Sequence, residues 1–270
     1  MLRRVAAFCL PVLLASPSFA QTAKGTWYVQ WGYNRAWYGL SDIDFDGPGY
    51  AFTLRQVRAY DRPVPFSTKA YLALKNIWIP QYNYRLGWHF HDRWSLSLGL
   101  DHMKYVVRQD QEVRIDGSIE NAGHAPRSGD GRVKITPDFL QYEHTDGLNL
   151  LSIDLDRHMP LWRGRDDRFG LKVAGGVHVG PVIPRTDVRL FGEGQNNRFN
   201  IAGFGVGAQA GLWFTFLRHF HVRNVLRAGW IDLPHVLTTE RSGAHASQQF
   251  AFVQHAVLVG GRFRLGGKKD

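Results

Sequence analysis

Apolar and polar residues alternate along much of this chain, and that alternation constrains its fold more than any other feature. In residues 249–265 the odd positions are mostly apolar, whereas the even positions become polar towards the end of the segment. The same period of two occurs in residues 27–33, 79–90, 94–107, 169–179 and 204–216. Because side chains alternate between the two faces of a β-strand, these segments predict strands with one apolar face each.

The segments and the connections between them predict the architecture. We place eight strands at about 26–38, 78–90, 93–107, 138–160, 168–190, 199–216, 219–235 and 249–266. Long polar connections at about 39–77, 108–137 and 239–248 alternate with short turns. This alternation is typical of an all-β fold, an antiparallel up-and-down transmembrane β-barrel with long extracellular loops and short periplasmic turns.

Residues 39–77 leave alternatives open. Residues 50–59 have the pattern of a strand, so the 39–77 segment is predicted to form a loop, an extra hairpin or a plug in the lumen. If residues 50–60 and a partner join the wall, the barrel has ten strands. A soluble lipocalin-like barrel is the structural rival, but aromatic residues near strand ends, such as Trp27 and Trp88, favour a membrane interface.

The first twenty residues have a different character from the rest of the chain. Arg3 and Arg4 precede an apolar run and then a small-residue site that ends at Ala20. This order predicts a cleavable secretory signal over residues 1–20 and a barrel domain over 21–270. Cys9, the single cysteine, lies within the predicted signal, so we expect neither a disulfide nor a cysteine-bound metal in the mature chain.

The charge and the hydropathy of the chain indicate the location and the partners of the protein. No run of 18 or more consecutive apolar residues follows the predicted signal, which excludes a helical membrane span. The formal net charge is +10, and the basic residues are scattered along the chain. We therefore predict a location in the bacterial outer membrane, with outer-membrane lipids, anionic lipopolysaccharide and the assembly machinery as partners, and no nucleic acid.

The segment Tyr84–Leu96 resembles the down-strand, turn and up-strand unit of small outer-membrane β-barrel proteins of Gram-negative bacteria. Residues 31–38, 101–105 and 143–149 are similar to segments of uncharacterised proteins in that group. The resemblance implies an outer-membrane barrel and assigns no chemistry to it. One departure is the end of the chain: such proteins often finish on an aromatic residue that the assembly machinery reads, whereas Phe263 is followed here by residues 264–270.

Seven charged residues fall on or near the predicted inward faces: Arg85, Asp101, Asp154, Lys172, Arg223, Arg227 and Arg262. The interior of an eight-stranded barrel is just filled by side chains. Buried charges are tolerated when they are paired. We therefore predict a salt-bridge network that closes the lumen, and we do not expect a water-filled solute pore.

The twelve histidines of the chain raise the question of whether it has a catalytic site. Outer-membrane lipid hydrolases place a His and a Ser two residues apart on one strand face, so that the His can take the serine proton. The nearest candidates here are His144 and Asp146, and Asp146 occupies the place of the serine. Because that pair lacks a nucleophilic hydroxyl, we expect no catalysis.

Metal binding is the second chemical question. His89 and His91 share a predicted strand face beside a periplasmic turn, and a His-x-His pair suits a transition metal. Spacing fixes no third ligand, so we interpret them as polar residues at the water interface and expect no metal and no cofactor. The acidic run at 42–46 offers oxygen ligands for Ca²⁺ but lacks a complete EF-hand pattern, and we interpret it as an acidic loop.

Together these features predict a monomeric outer-membrane barrel. Its expected role is structural or one of surface interaction through residues 39–77 and 108–137. Two alternatives remain: a lipid-modifying outer-membrane hydrolase, and a narrow channel or carrier for small hydrophobic molecules.

Overall fold

A computed structural model describes residues 23–65, 67–71, 80–120, 127–165, 168–194 and 198–265. The predicted signal over residues 1–20 lies outside the described residues. In chain order the described elements are β1 (Thr26–Tyr38), β2 (Ser41–Gly47), β3 (Tyr50–Val57), β4 (Ala59–Tyr60), the short helix α1 (Thr68–Tyr71), β5 (Tyr82–His91), β6 (Trp94–Val107), β7 (Glu112–Ile119), β8 (Arg127–Ser128), β9 (Gly131–Lys134), β10 (Leu140–Arg163), β11 (Gly170–Pro184), β12 (Asp187–Leu190), β13 (Gly203–Phe216), β14 (Phe220–Leu237) and β15 (His245–Arg264).

Eight of these strands close into an antiparallel ring. Their order is β1, β5, β6, β10, β11, β13, β14 and β15, and β15 pairs back with β1 over thirteen residue positions. Closure leaves no open edge in the wall, so every strand of the ring can satisfy its backbone hydrogen bonds within the protein. The predicted eight-stranded up-and-down barrel is confirmed.

The register of the ring fixes its tilt. Paired residues can be followed once around the wall from Trp27 on β1, and the path returns to β1 at Trp37, ten residues further along. A shift of this size over eight strands corresponds to a strand tilt of about 40°. Ten residues at that tilt rise by roughly 25 Å, which is the height of the apolar band on an outer-membrane barrel.

The outside of the ring is apolar over that height. Large apolar side chains are exposed on the outer wall of every strand in the ring, among them Val29, Leu86, Leu98, Ile153, Val177, Val206, Leu226 and Val257. Water would not favour so continuous an apolar surface, whereas lipid chains do. The alternation seen in the sequence therefore places lipid outside and a packed lumen inside. Among the described residues, no helix is long and apolar enough to cross a membrane.

The long connections extend the sheet of the ring at its extracellular end, and we call this extension the crown (β2, β3, β7, β8 and β9). β2 continues the wall by pairing with the start of β15, β3 pairs with β2, and β7 joins β3 to the short strands β8 and β9. The 39–77 segment thus contains an extra hairpin. This hairpin lies outside the ring, so the ring keeps eight strands.

One face of the crown is buried over the extracellular end of the lumen. Its apolar side chains, including Ile43, Phe52 and Ile115, form a single cluster with inward side chains of the ring such as Leu148 and Phe250. These five side chains are at most 4% exposed. The crown therefore closes the upper lumen with an apolar core, and burial of that core is what holds the crown in place.

Because the outer wall faces lipid, we predict that a charged substitution lowers the stability of the barrel more near the middle of the bilayer than near its surface. Val177 is 57% exposed and lies half-way around the path from Trp27 to Trp37, near mid-height of the apolar band. We expect Val177→Arg to destabilise the barrel by about 2–4 kcal/mol, because a guanidinium at the middle of a bilayer is poorly solvated. The measurement is urea unfolding in lipid vesicles.

The matched control is Leu40→Arg, since Leu40 is 54% exposed but follows β1 in the crown region. We expect the control to unfold at the urea concentration of the unmodified protein. Equal destabilisation by the two substitutions would contradict the lipid-facing assignment.

Candidate functional site

The candidate site lies in the middle of the lumen, where four of the seven predicted lumen charges meet in one ion-pair network (Arg85, Asp101, Asp154 and Arg227) and a fifth, Arg223, pairs with Asp156. Each of these side chains is at most 3% exposed. They reach the lumen because they occupy the inward positions of β5, β6, β10 and β14, opposite to the apolar residues of the outer wall.

Arg85 and Arg227 share the same two carboxylates. Arg85 donates from Nη2 to Asp101 at 2.8 Å and from Nε to Asp154 at 2.9 Å. Arg227 donates to Asp101 from Nη1 and lies 3.3 Å from Asp154 through Nη2. Two guanidinium groups and two carboxylates thus form a closed four-membered arrangement in which each charge has two opposite neighbours.

The pair between Arg227 and Asp101 crosses the barrel. Arg227 is on β14 and Asp101 is on β6, and these strands stand four places apart in the ring of eight. They are therefore on opposite walls, so this ion pair spans the lumen from side to side. At this level of the barrel the two side chains bridge the lumen.

Asp156 is the buried lumen carboxylate that sequence reasoning missed. It is fully buried, accepts a hydrogen bond from Gln209 at 2.8 Å and pairs with Arg223 at 3.1 Å. The sequence did indicate this position. Ser152, Asp154 and Asp156 are alternate residues of β10, so their side chains lie on the same, inward face of the strand.

Polar neighbours complete the network. Ser152 donates to Asp154 at 2.6 Å, and the amide of Asn83 donates to Asp101. Bonds of this kind occupy the lone pairs that the guanidinium groups leave free. A buried charge that is both paired and hydrogen-bonded is tolerated, whereas one that loses a partner is costly.

Lys172 and Arg262, the other two predicted lumen charges, lie apart from this network at the periplasmic end. Lys172 is half-buried, and its Nζ stands 4.3 Å from the centre of the Trp213 ring. Arg262 is also half-buried and donates from Nε to the carbonyl of Arg218 in the turn between β13 and β14. The predicted set therefore divides into the four-residue central network, Arg223 with its partner Asp156, and two basic residues nearer the periplasmic end.

His144 and Asp146, the candidate catalytic pair, face different ways. The His144 ring is fully buried, with Nδ1 at 2.8 Å from the hydroxyl of Thr186 and Nε2 at 3.1 Å from the amide of Gln248. Asp146 is exposed and pairs with Arg185 at 3.2 Å. The two are parted because the register of β10 against β6 shifts after His144, at a bulge that Gly147 permits with a φ of 126°.

His89 and His91, the candidate metal pair, are also separated. His89 is 5% exposed, and its ring centre lies 4.7 Å from that of His158 in the lower lumen. His91 is exposed at the turn, where its Nδ1 accepts a hydrogen bond from the backbone of Arg93. Among the described residues, no group of three or more His, Cys, Asp or Glu side chains is arranged to hold a metal ion.

The acidic run of β2 lies on the outer face of the crown, among basic residues. Asp42 pairs with Arg55 at 2.9 Å, and Arg55 in turn binds Asp116 of β7 at 2.7 Å. Arg114 also binds Asp116, at 2.8 Å. The guanidinium groups of Arg55 and Arg114 hold the pKa of the Asp116 carboxyl below its usual value. Asp42 is therefore committed to an arginine of the neighbouring strand, whereas Asp44 accepts hydrogen bonds from Thr53 and Ser247.

Comparison with known proteins finds solved structures that are similar to this chain in fold. No known protein-family profile matches the chain. No curated protein matches it by sequence. Among solved structures, the outer membrane protein OprG from Pseudomonas aeruginosa is similar at 12% identity, with 90% of this chain and 97% of that chain covered and a TM-score of 0.39.

Two further solved structures are similar in the same way. Ail, the attachment invasion locus protein of Yersinia pestis, shares 13% identity over 89% of this chain and 99% of its own, with a TM-score of 0.32. The outer membrane protein AlkL in lipid bilayers shares 10% identity over 95% of this chain and 98% of its own, with a TM-score of 0.40. The likeness to small outer-membrane barrels is one of fold alone.

The network makes a prediction about stability. In Arg227→Met, Asp101 and Asp154 each lose one of their two guanidinium partners while remaining buried. We expect a loss of about 3–5 kcal/mol in the free energy of unfolding, since removal of one partner leaves buried carboxylate charge uncompensated. Urea unfolding in vesicles, followed by tryptophan fluorescence, measures it.

Arg132→Met is the matched control for that experiment. Arg132 pairs with Glu112 at 2.9 Å on the crown surface, where the two side chains are 66% and 59% exposed. We expect little change in stability, because exposed pairs are screened by water. A result in which both substitutions have the same small effect would show that the lumen network is not what stabilises the barrel.

Proposed function

We propose that this protein is a non-conducting outer-membrane β-barrel that carries the crown on the cell surface, with a structural or surface-interaction role and no catalysis. The observation that carries the proposal is the ion pair between Arg227 and Asp101, which joins opposite walls of the lumen. A barrel built to pass solutes would keep that cross-section open.

Two plugs in series support a closed lumen. The central network fills the middle with paired charges, and the apolar core beneath the crown fills the extracellular end. Ions are repelled by an apolar layer, and apolar solutes are repelled by a charged one. A channel or a carrier for small hydrophobic molecules would have to disrupt both layers.

The outer face of the crown supports the surface-interaction role. A groove of about 950 Å³ runs along it, lined by residues of both long connections. Most arginines of the groove are paired with carboxylates, but among the described residues neither Arg58 nor Arg108 forms an ion pair. The backbones of these two residues are joined by a hydrogen bond of 2.9 Å, so two unpaired guanidinium groups start from neighbouring positions.

Lipopolysaccharide is the partner whose chemistry suits those arginines. Its anionic groups surround an outer-membrane protein at the level of the crown, and guanidinium groups bind phosphate and carboxylate groups with two parallel hydrogen bonds. The rival role of lipid hydrolysis would need an accessible base and nucleophile, whereas His144 is buried against Thr186 and Gln248.

A closed lumen predicts that the protein does not conduct ions. Purified protein inserted into planar bilayers is expected to give no stable unitary conductance, because the ion pairs and the apolar core block the path. Insertion is verified independently by protection of the barrel from added protease. Stable, large single-channel steps from verified insertions would contradict the proposal.

The crown groove predicts a binding difference between two matched double variants. Arg58→Gln with Arg108→Gln is expected to weaken lipopolysaccharide binding by about tenfold or more, since each guanidinium contact to an anion is a charge-assisted hydrogen bond. Arg114→Gln with Arg132→Gln removes two arginines that already have carboxylate partners, and we expect binding close to that of the unmodified protein. Titration in a maltoside detergent measures both. Equal affinity of the two double variants would exclude the Arg58 and Arg108 pair as the contact.

A further inference from the structure

Two polar side chains interrupt the apolar outer wall of the ring on β14 and β15. Asn224 and His255 occupy outward positions, where Asn224 is exposed and His255 is half-buried. Their neighbours on the same face are apolar, among them Leu226, Val253 and Val257. Because a polar group that faces hydrocarbon is costly, its presence in a membrane-facing wall indicates a functional surface.

The register of the ring gives the depth of this pair. The path around the wall rises by roughly 25 Å in eight steps, which is about 3 Å a step. Counted from Trp27, Ala228 on β14 is the sixth step and Val253 on β15 is the seventh. Asn224 lies four residues below Ala228, and His255 lies two residues below Val253. Their levels are therefore about 9 Å and about 17 Å above Trp27, on either side of the middle of the apolar band.

The pair uses only part of its hydrogen-bonding capacity. Nε2 of His255 donates to Oδ1 of Asn224 at 3.2 Å. Among the described residues, the amide nitrogen of Asn224 and Nδ1 of His255 have no partner. The amide nitrogen is a donor, and Nδ1 of a neutral imidazole is then an acceptor. Lipid acyl chains satisfy neither group, because they contain no donor and no acceptor.

We propose that β14 and β15 form the interface of a homodimer in the outer membrane, in which Asn224 and His255 hydrogen-bond to the same side chains of a second copy. All copies insert in one orientation, so equal depths meet when a two-fold axis runs along the membrane normal. The free donor of Asn224 in each copy then faces the free acceptor of His255 in the other. This is the self-complementarity that a two-fold interface requires.

The depth of the pair is what separates this dimer from the monomer that the sequence predicts. Alternation along β14 and β15 places both side chains outside, but it does not give their level in the membrane. Polar side chains at mid-depth hydrogen-bond between membrane segments, and such contacts hold the segments together.

The wall beside the pair has small side chains. Ala208, Ala210 and Ala228 are exposed on the same face of β13 and β14, and Ala208 pairs directly with Ala228. Small side chains allow two walls to come close enough for hydrogen bonds between them. On the opposite side of the ring, the outward residues at that level are large and aliphatic, including Leu98 and Ile153. The polar and the small residues thus share one side of the barrel.

A lipid headgroup suits this pair less well than a second copy does. Arg35 stands opposite His255 in the register of β1 and β15, two residues below Trp37 and so near the extracellular boundary of the apolar band. A long Arg side chain at that level can extend its charge to the headgroups. Asn224 and His255 have shorter side chains and lie deeper, so the same explanation does not apply to them.

The first test is disulfide formation in lipid vesicles. It uses the full chain with Cys9→Ser, because Cys9 is the single cysteine. Val257→Cys introduces a thiol directly opposite Asn224 in the register, on the outer face of the proposed interface. After oxidation, we expect a yield of covalent dimer about tenfold or more above that of the control.

Ile153→Cys is the matched control for that thiol. Ile153 is 56% exposed and Val257 is 43% exposed, and both lie near the middle of the apolar band. Ile153 is on β10, which stands four places from β15 in the ring of eight, so its thiol points away from the proposed interface.

The second test does not depend on the geometry of a disulfide. Ser242→Cys, in the exposed turn between β14 and β15, is labelled with a donor dye in one sample and an acceptor dye in another. The two samples are mixed in vesicles, and energy transfer is measured as the proportion of lipid is raised. We expect transfer above the value for randomly distributed barrels, and a fall to the random value when Asn224→Leu and His255→Val are added.

The double variant also distinguishes an interface from a role inside one barrel. Two apolar side chains facing lipid are not expected to destabilise the single barrel, so the urea midpoint at high lipid excess is expected to be equal or higher. Folding of each variant is checked by the shift in gel mobility between heated and unheated samples. Random energy transfer in the unmodified protein would leave lipid as the occupant of this face and overturn the proposal. Equal disulfide yields from the two thiols, transfer that persists in the double variant, or a lowered urea midpoint would overturn it as well.

Discussion

Backbone hydrogen bonding in lipid is the constraint on which the rest of this structure depends. A strand exposed to hydrocarbon has no water to satisfy its amide groups, so the wall has to close on itself. Eight strands with a ten-residue shift achieve this closure. That geometry then sets the width of the lumen, which is filled by side chains and leaves little room for anything else.

A narrow lumen explains why its charges are organised as they are. Inward positions of the strands carry arginines and aspartates, and the small cross-section brings side chains from opposite walls within hydrogen-bond distance. Arg227 therefore reaches Asp101 across the barrel, while Arg85 reaches the same carboxylate from the adjacent strand. Further up, apolar side chains such as Phe250 replace the charges, and the crown supplies the other half of that core. Further down, Lys172 and Arg223 lie over the ring of Trp213.

Much of the ring follows from sequence alone, because the alternation of residues is itself a consequence of the wall. The strand from Trp94 to Val107 was predicted within one residue, and its inward Asp101 follows from parity. Asp156 was available to the same reasoning. The bulge at Gly147 was not, since it depends on where two strands stop matching in register, and this moved Asp146 away from His144.

The sequence predicted the crown only in part: an extra hairpin in residues 39–77 was one of three alternatives, and the pairing of that hairpin with residues 112–119 was not predicted. The polarity of its connections suggested loops, yet their strands carry buried apolar residues on one face, among them Ile43, Phe52 and Ile115. Strand β3 pairs with β7 between segments about sixty residues apart, and nothing local specifies that register. The pairing becomes favourable once the ring brings the two connections to the same end of the barrel and their apolar faces can be buried together. Lys172 shows the same limit, because the alternation of the strand placed it inward but could not show that its ammonium would lie over the ring of Trp213.

A closed lumen bridged from wall to wall is the central claim, and a contact measured across the barrel tests it most directly. Solid-state NMR on protein in lipid bilayers, with ¹⁵N-labelled arginine and ¹³C-labelled aspartate, reports guanidinium–carboxylate proximity. The account predicts a strong coupling between Arg227 and Asp101 that disappears in Arg227→Met. A spectrum of the unmodified protein without that coupling, in which the Arg227 guanidinium is in contact with mobile water, would contradict it.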